Sequence, residues 1–270
     1  MIRRNAAYCE TKDCRAYLRK NAAYCATKNC RAFISGNGAY CRQTMKTIEL
    51  PKGRNPGSLN RLTLDTLDLF PGNSLFDNFG KTVCRAGCLP RKELFEAWEV
   101  AKRVRRKFKK GRVVDLACGH GLLAYSMLLM GGMRDSALAV DRKITSCGHR
   151  IATELVKQWP KLDGAVEYRE SRIQDISLMP DDIVVSVHAC GGLTDEILNK
   201  AVKAGCRVAV MPCCHALKKQ NAAGYDAWVP GDMAIDIERV AHLRAMGYQV
   251  NMAKISDQIT PKNRLILAKP

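Results

Sequence analysis

From residue 112 onward the chain alternates short β-branched runs with longer amphipathic runs, and few folds accept that order. "RVVDLAC" reads as a strand and "GLLAYSMLLMGG" as a helix stopped by glycines. "SALAVD" is a strand, and "TSCGHRIATELVKQWP" a helix with Ile151, Leu155, Val156 and Trp159 on one side and Pro160 at its end. "AVEYRES" and "DDIVVSVHACGG" supply two more strands, "TDEILNKAVKAG" a helix and "CRVAVMPCCH" a fifth strand. "DMAIDIERVAHLRAMG" is a helix with Asp232 as its cap, expected to pack through Met233, Ile237, Val240 and Ala241. "GYQVNMAKIS" and "NRLILAKP" close the chain as neighbouring strands joined by "DQITPK". The pattern predicts an α/β fold, an open, mostly parallel, seven-stranded sheet whose short last connection makes the final strand antiparallel.

The first strand carries the chemistry. In such sheets ligands bind beyond the carboxyl ends of the strands, and "VVDLACGHG" ends its strand in Asp115 before turning through Gly119 and Gly121. Two glycines permit a tight turn and let a ligand approach without meeting a Cβ. Gly119-x-Gly121-x-x-Ala124, with Asp141 20 residues beyond Gly121, also satisfies a dinucleotide pattern. Asp115 speaks against that ligand, because an acid sits badly beside a pyrophosphate. It suits a ligand with an ammonium and a sulfonium but no phosphate, which describes S-adenosylmethionine. Asp141 then takes the ribose hydroxyls and Asp175 of "RIQDI" lies near the adenine; the competing reading of Asp115 and Asp175 is that of ordinary capping acids.

Four blocks in order, "VVDLACGHGLLA", "VSVHACGGLTDEIL", "VAVMPCCHAL" and "ITPKNRLILAKP", resemble a Rossmann-type S-adenosylmethionine-dependent methyltransferase family. Its members share a His-Ala-Cys-Gly stretch after the fourth strand and a Pro-Cys-Cys stretch after the fifth. The family is similar to the one holding the methyltransferase half of the glutathione S-transferase C-terminal domain-containing protein and related methyltransferase-like proteins. The resemblance covers residues 83–270. It implies a Rossmann-like methyltransferase sheet and a cofactor site of Asp115, Ala117, Gly119, Gly121, Asp141 and Asp175, with His188, Ala189 and Cys190 lining the pocket from the fourth strand. It does not imply a substrate. Where many base-amine methyltransferases place Asn/Asp-Pro-Pro-aromatic, this chain has His188-Ala-Cys-Gly, which argues against that chemistry.

After the fifth strand, Cys213, Cys214 and His215 admit three readings. Cys214 as a thiolate nucleophile supported by His215, with His188 nearby, makes His188, Cys214 and His215 the catalytic candidates. A metal site of Cys213, Cys214, His215 and His188 is the second, and adjacent cysteines are awkward chelators of one ion. The third is pocket lining by small, adaptable side chains.

The N-terminal half is of another kind. Residues 1–112 hold 25 Lys and Arg against 9 Asp and Glu, whereas residues 113–270 hold 19 against 17. "NAAYCETKDCRAYLRK" at 5–20 returns as "NAAYCATKNCRAFISG", and "NGAYC" begins a third copy. Cys9, Cys14, Cys25 and Cys30 are thereby spaced as two thiol pairs, candidates for zinc; a tandem duplication also reproduces cysteine spacing without any metal. The expected organisation is a cysteine-rich basic repeat at 1–50, a Pro/Gly/Asn-rich linker at 51–82, a basic helical lead-in at 83–110 and the S-adenosylmethionine-binding methyltransferase domain at 111–270. In the lead-in, Leu94, Trp98, Ala101 and Phe108 share a face, and Lys102, Arg103, Arg105, Arg106, Lys107, Lys109 and Lys110 crowd the last turns. This asymmetry predicts RNA as partner, held through the basic half, with ribonucleoprotein association and no membrane. The 13 cysteines and the absence of a leader-like start predict a reducing intracellular compartment, cytoplasm or nucleus. A mitochondrial address is compatible with Arg3 and Arg4 preceding any acid. The reading as a whole is a methyltransferase acting on RNA; its rival is a catalytically silent, methyltransferase-fold scaffold in a ribonucleoprotein particle.

Overall fold

The computed structural model describes residues 55–270, apart from 133–134, 218–219 and 221, and the backbone of four short strands nearer the N-terminus. The chain divides into two units, Met1–Lys52 and Gly53–Pro270. In the first, Ala16–Arg19 (β1) pairs antiparallel with Ala22–Cys25 (β2), and Ala32–Ser35 (β3) with Gly38–Cys41 (β4). Each hairpin joins the end of one repeat copy to the start of the next, placing Tyr17 opposite Tyr24 and Phe33 opposite Tyr40. Cys9, Cys14, Cys30 and the side chain of Cys25 lie outside the described residues, and with them the zinc expectation.

The second unit begins within the segment read as a linker. A 3-10 turn at Leu64–Leu69 leads to helix Leu75–Ala86 (α1), capped by the Ser74 hydroxyl, which accepts from the Asp77 amide. Helix Arg91–Lys107 (α2) follows, and its apolar face is buried as the spacing predicts, with Leu94, Trp98, Ala101 and Phe108 inside. Phe76 and Phe79 of α1 stack on Trp98 at 5.0 and 5.2 Å between ring centroids, so this stretch belongs to the core. The basic end of α2 is less uniform than its sequence. Arg105 is 6% exposed, bonded to Asp135 and to the Met127 carbonyl, and Arg103 donates to the Lys254 carbonyl. Arg106, Lys107, Lys109 and Lys110 are exposed.

Beyond α2, strand and helix alternate as expected: Val113–Leu116 (β5), Leu122–Met130 (α3), Ala137–Asp141 (β6), Ser146–Gln158 (α4), Val166–Glu170 (β7) and Ile183–Val187 (β8). Then come Gly192–Ala204 (α5), Arg207–Met211 (β9), Gly231–Ala245 (α6), Gln249–Lys254 (β10) and Arg264–Lys269 (β11). The sheet order is β10-β11-β9-β8-β5-β6-β7. Neighbours from β9 to β7 are parallel, and β11, inserted between β9 and β10, is antiparallel to both. This is the open, mostly parallel, seven-stranded sheet with an antiparallel final strand that the alternation predicts.

Val114, Leu116, Leu138, Val140, Val184 and Val208 share one core with Ile197 and Leu198 of α5 and Val240 and Leu243 of α6. The pleat turns Asp115 to the opposite side, toward α3. One helix face departs from its pattern. α6 buries Ala234, Ile235, Asp236, Arg239, Val240 and Leu243, while Ile237, expected inside, is exposed. A buried ion pair, Arg239–Asp236 at 3.1 Å, rotates the inward face away from the purely apolar stripe. Cys88 and Cys147, expected as thiols, form a disulfide that ties the start of α2 to the start of α4.

Candidate active site

Parallel neighbours leave a sheet side by side, so the loops after β5, β6, β7, β8 and β9 collect at one edge. After β5 the chain turns through Ala117, Gly119 and Gly121, all with positive φ. The two glycines are needed for different reasons. A Cβ on Gly121 would lie 2.6 Å from the Tyr168 ring, whose hydroxyl donates to the His120 carbonyl at 2.9 Å. A Cβ on Gly119 would meet nothing within 4 Å, so the backbone there faces open space.

Asp115 is 2% exposed and accepts from the Ala124 amide at 3.3 Å. Burial, with a smaller push from the Asp141 charge, raises its carboxyl to a pKa of about 8, against the counteracting Ala124 hydrogen bond. A cationic group brought to this edge would therefore stabilise its ionised form. Asp141, at the end of β6, accepts from the amides of Gly119 at 2.8 Å and Arg142 at 2.7 Å. It lines a cavity of about 310 Å³ with Ala117, Arg142, Ser171, Ile173, Gln174 and Leu193. Asp175 is exposed and does not line that cavity; its neighbours Ile173 and Gln174 do.

The loop after β8 brings His188, Ala189 and Cys190. His188 adopts φ +73°, and its Nε2 lies 2.9 Å from Glu96 Oε2 of α2. That contact is electrostatic, since Oε2 has no hydrogen-bond donor in line with it. Lys92 holds the same carboxylate at 2.6 Å. One turn earlier, Glu93 meets His120 Nε2 at 2.9 Å. Burial raises the Glu93 carboxyl, and the hydrogen bond and charge of His120 more than offset it, leaving its pKa lowered. One helix thus grips both the β5 loop and the β8 loop. Ala189 is buried, its carbonyl accepting from Thr194 Oγ1.

His215 corrects an expectation. Its side chain is 1% exposed, Nε2 bonds Asp236 at 2.8 Å, and Nδ1 has no hydrogen-bond partner. It makes no hydrogen bond to Cys213 or Cys214, and ties the β9 loop to α6. Arg264 and Arg239 bond the same Asp236, which joins the "PCCH" and "TPKNRL" segments through one carboxylate. Burial, then coupling with its neighbouring thiols, raises the Cys213 thiol, and Cys190 is also raised by burial. Cys214 is exposed, with its sulfur 3.7 Å from that of Cys213.

Asp115, Asp141 and the Gly119–Gly121 turn thus meet at the carboxyl edge of the parallel strands. Residues 93–221 match a family described as a methyltransferase domain. The fold is similar to that of an O-methyltransferase family protein from Burkholderia thailandensis (15% identity over 76% of this chain and 67% of that one, TM-score 0.42). It is similar too to a SAM-dependent methyltransferase from Aquifex aeolicus (16% identity over 64% and 90%, TM-score 0.41). A third is the M1A22 tRNA methyltransferase TrmK of B. subtilis (16% identity over 63% and 65%, TM-score 0.42), of which this chain spans less than two thirds. No curated protein matches the chain.

Sequence reading missed Glu93, Glu96 and Tyr168. The two glutamates sit three residues apart, hence on one helical face, and Glu96 interrupts the buried side of α2; that interruption was the available signal. Tyr168 carried none, because an aromatic in an alternating strand looks like ordinary packing.

Proposed function

We propose that the protein is an S-adenosylmethionine-dependent methyltransferase and that its acceptor is RNA. The observation that supports the cofactor best is the joined Gly119–Asp141 arrangement. The amide of Gly119 fixes one carboxylate oxygen of Asp141, while the space in front of Gly119 stays open to a ligand. The donor set fits an uncharged ribose and a cationic amino-acid moiety better than a pyrophosphate. When bound, the cofactor supplies an electrophilic methyl group on a sulfonium. Asp115 provides the buried negative charge, Asp141 accepts from the ribose hydroxyls, and Ile173 with Leu193 offers apolar walls. Holding acceptor and methyl in line is the main contribution a protein makes to such a displacement. His188, whose ring lies 2.9 Å from the Glu96 carboxylate, is the side chain we assign to the acceptor's proton.

RNA is favoured by the charge of residues 1–112 and by what surrounds the cavity. Arg142 lines it, Lys143 and Arg172 are exposed next to lining residues in sequence, and elsewhere Trp228, 87% exposed on the segment between β9 and α6, offers a face for base stacking. The test is transfer of a labelled methyl group into total RNA from the source cell, beside calorimetry with S-adenosylhomocysteine. Incorporation into RNA that is lost in His188→Ala and Asp141→Ala is the expected result, with the second variant also weakening cofactor binding about tenfold or more. Tight NAD binding without a response to S-adenosylhomocysteine overturns the cofactor. Cofactor binding without RNA methylation overturns the acceptor, and salt-dependent RNA binding alongside it identifies a scaffold.

A further inference from the structure

The thiols of Cys190, Cys213 and Cys214 converge. Cys190 follows β8 by three residues and Cys213 follows β9 by two, and these strands are parallel neighbours with Val187 paired to Met211. Their loops therefore emerge side by side, and the Gly191 amide donates to the Cys214 carbonyl at 2.9 Å, fastening one to the other. Gly191 has φ +59°, which lets its loop fold back toward the β9 segment. The Cys190 and Cys213 sulfurs lie 3.4 Å apart, those of Cys213 and Cys214 3.7 Å apart, and all three fall within 4.8 Å of one another.

We propose that Cys190, Cys213 and Cys214 form a three-thiolate Zn²⁺ site. Thiolates on one tetrahedral zinc, with Zn–S of about 2.3 Å, sit about 3.8 Å from each other, so the cluster needs only small side-chain adjustments to hold the ion. Neighbouring cysteines alone make a poor chelate, since one short backbone link cannot span two corners of a tetrahedron comfortably. A third sulfur from a separate strand changes that, because it fixes the ion from the opposite side. Soft sulfur donors select zinc over magnesium or calcium. Arg239, 4% exposed on its side chain, bonds the Gly191 carbonyl and Asp195, placing a fixed cation behind the loop that carries Cys190. Three protein ligands leave the fourth position to water, the arrangement of open rather than closed zinc sites. Cys190 and Cys214 are exposed, so the ion can enter from solvent. The site does not depend on methyl transfer.

Alkylation mapped by peptide tests it on the full wild-type chain, kept reduced and treated with iodoacetamide after loading with Zn²⁺ or after chelation. Zinc is expected to slow labelling of Cys190, Cys213 and Cys214 together by about tenfold or more. Peptide resolution separates these thiols from Cys9, Cys14, Cys25 and Cys30. Cys190→Ser should lower bound zinc by one equivalent in a protein whose circular dichroism spectrum shows that it is folded. Labelling of the three thiols that is the same with and without zinc overturns the proposal, as does unchanged zinc content in a folded Cys190→Ser protein.

Discussion

Asp115 shows how a single residue makes the site depend on pH. Its carboxyl titrates near a pKa of about 8 in the folded chain, against an ordinary 3.8. The folded state therefore favours the protonated form. The stability that this proton confers is complete below pH about 4 and is lost as pH rises through 8, with a slope of up to about 1.4 kcal/mol per pH unit between. Asp115→Asn should flatten that slope in denaturation measured from pH 5 to 9. The cofactor's cationic end favours the ionised form, so below pH 8 binding must release a proton. Affinity for S-adenosylhomocysteine, which keeps the ammonium, should rise with pH up to that point, and calorimetry in buffers of different ionisation enthalpy should detect the proton. A pH-independent affinity would show that Asp115 does not face the ligand's charge. The two glycines separate stability from binding in the same loop. Gly121→Ala forces a methyl onto Tyr168 and strains a left-handed backbone, so it should cost about 2 kcal/mol or more. Gly119→Ala should cost only about 1 kcal/mol of stability, because no neighbour is struck, yet it fills the open space and should weaken cofactor binding more than Gly121→Ala does.

At the scale of elements, the strands and helices of the sheet were legible because period-2 and period-3.6 patterns leave little choice for β5 to β9. What stayed hidden is polar and buried. The inward face of α6 includes Asp236 and Arg239, whose burial depends on His215 and Arg264 arriving from distant segments. No local period encodes such a meeting. His215 looked like a partner for the next-door thiols because sequence adjacency was the only geometry available. Likewise the Asp115–Gly119–Asp141 arrangement was legible from spacing, whereas Cys190 joined Cys213 and Cys214 only through strand order. The tie from α2 to α4 carries its own expectation. The Cys88–Cys147 disulfide closes a 59-residue separation, and constraining an unfolded chain over that length contributes about 2–4 kcal/mol. Thermal unfolding of Cys147→Ser, or of the wild type under reductant, should show a loss of that size. An unchanged midpoint under reductant would mean that the bond is not formed in solution.

Over the whole molecule, the basic charge is arranged less simply than its sum. Glu93 and Glu96, near the start of α2, face the cofactor edge, while Lys110 sits beside Arg207 at the beginning of β9, on the opposite edge of the sheet. At 1.5 Å per residue the helix separates these ends by about 20 Å. If the acceptor is RNA, as proposed, the exposed Arg106, Lys107, Lys109 and Lys110 thus cannot hold the nucleotide undergoing methylation, although they can hold a flanking stretch of a longer RNA. Arg142 lines the cavity and, with Arg172, a second hollow that shares Ser171, while Lys143 is the exposed next residue along the chain. The two groups should therefore separate in experiment. Changing Arg106, Lys107, Lys109 and Lys110 to Gln should weaken RNA binding and reduce the slope of log K against log salt by up to about 3, roughly 0.7–0.9 per lost phosphate contact. Methyl transfer at saturating RNA should remain near wild type. Changing Lys143 and Arg172 to Gln should lower transfer at saturation as well, because the acceptor is then held less firmly at the methyl group. Equal loss of transfer at saturation from both sets would place the basic end of α2 in the acceptor's path, which the length of the helix forbids for a short oligonucleotide. Repeating the salt titration with a dinucleotide removes the ambiguity, since it is too short to reach across about 20 Å and should lose its dependence on the α2 cations.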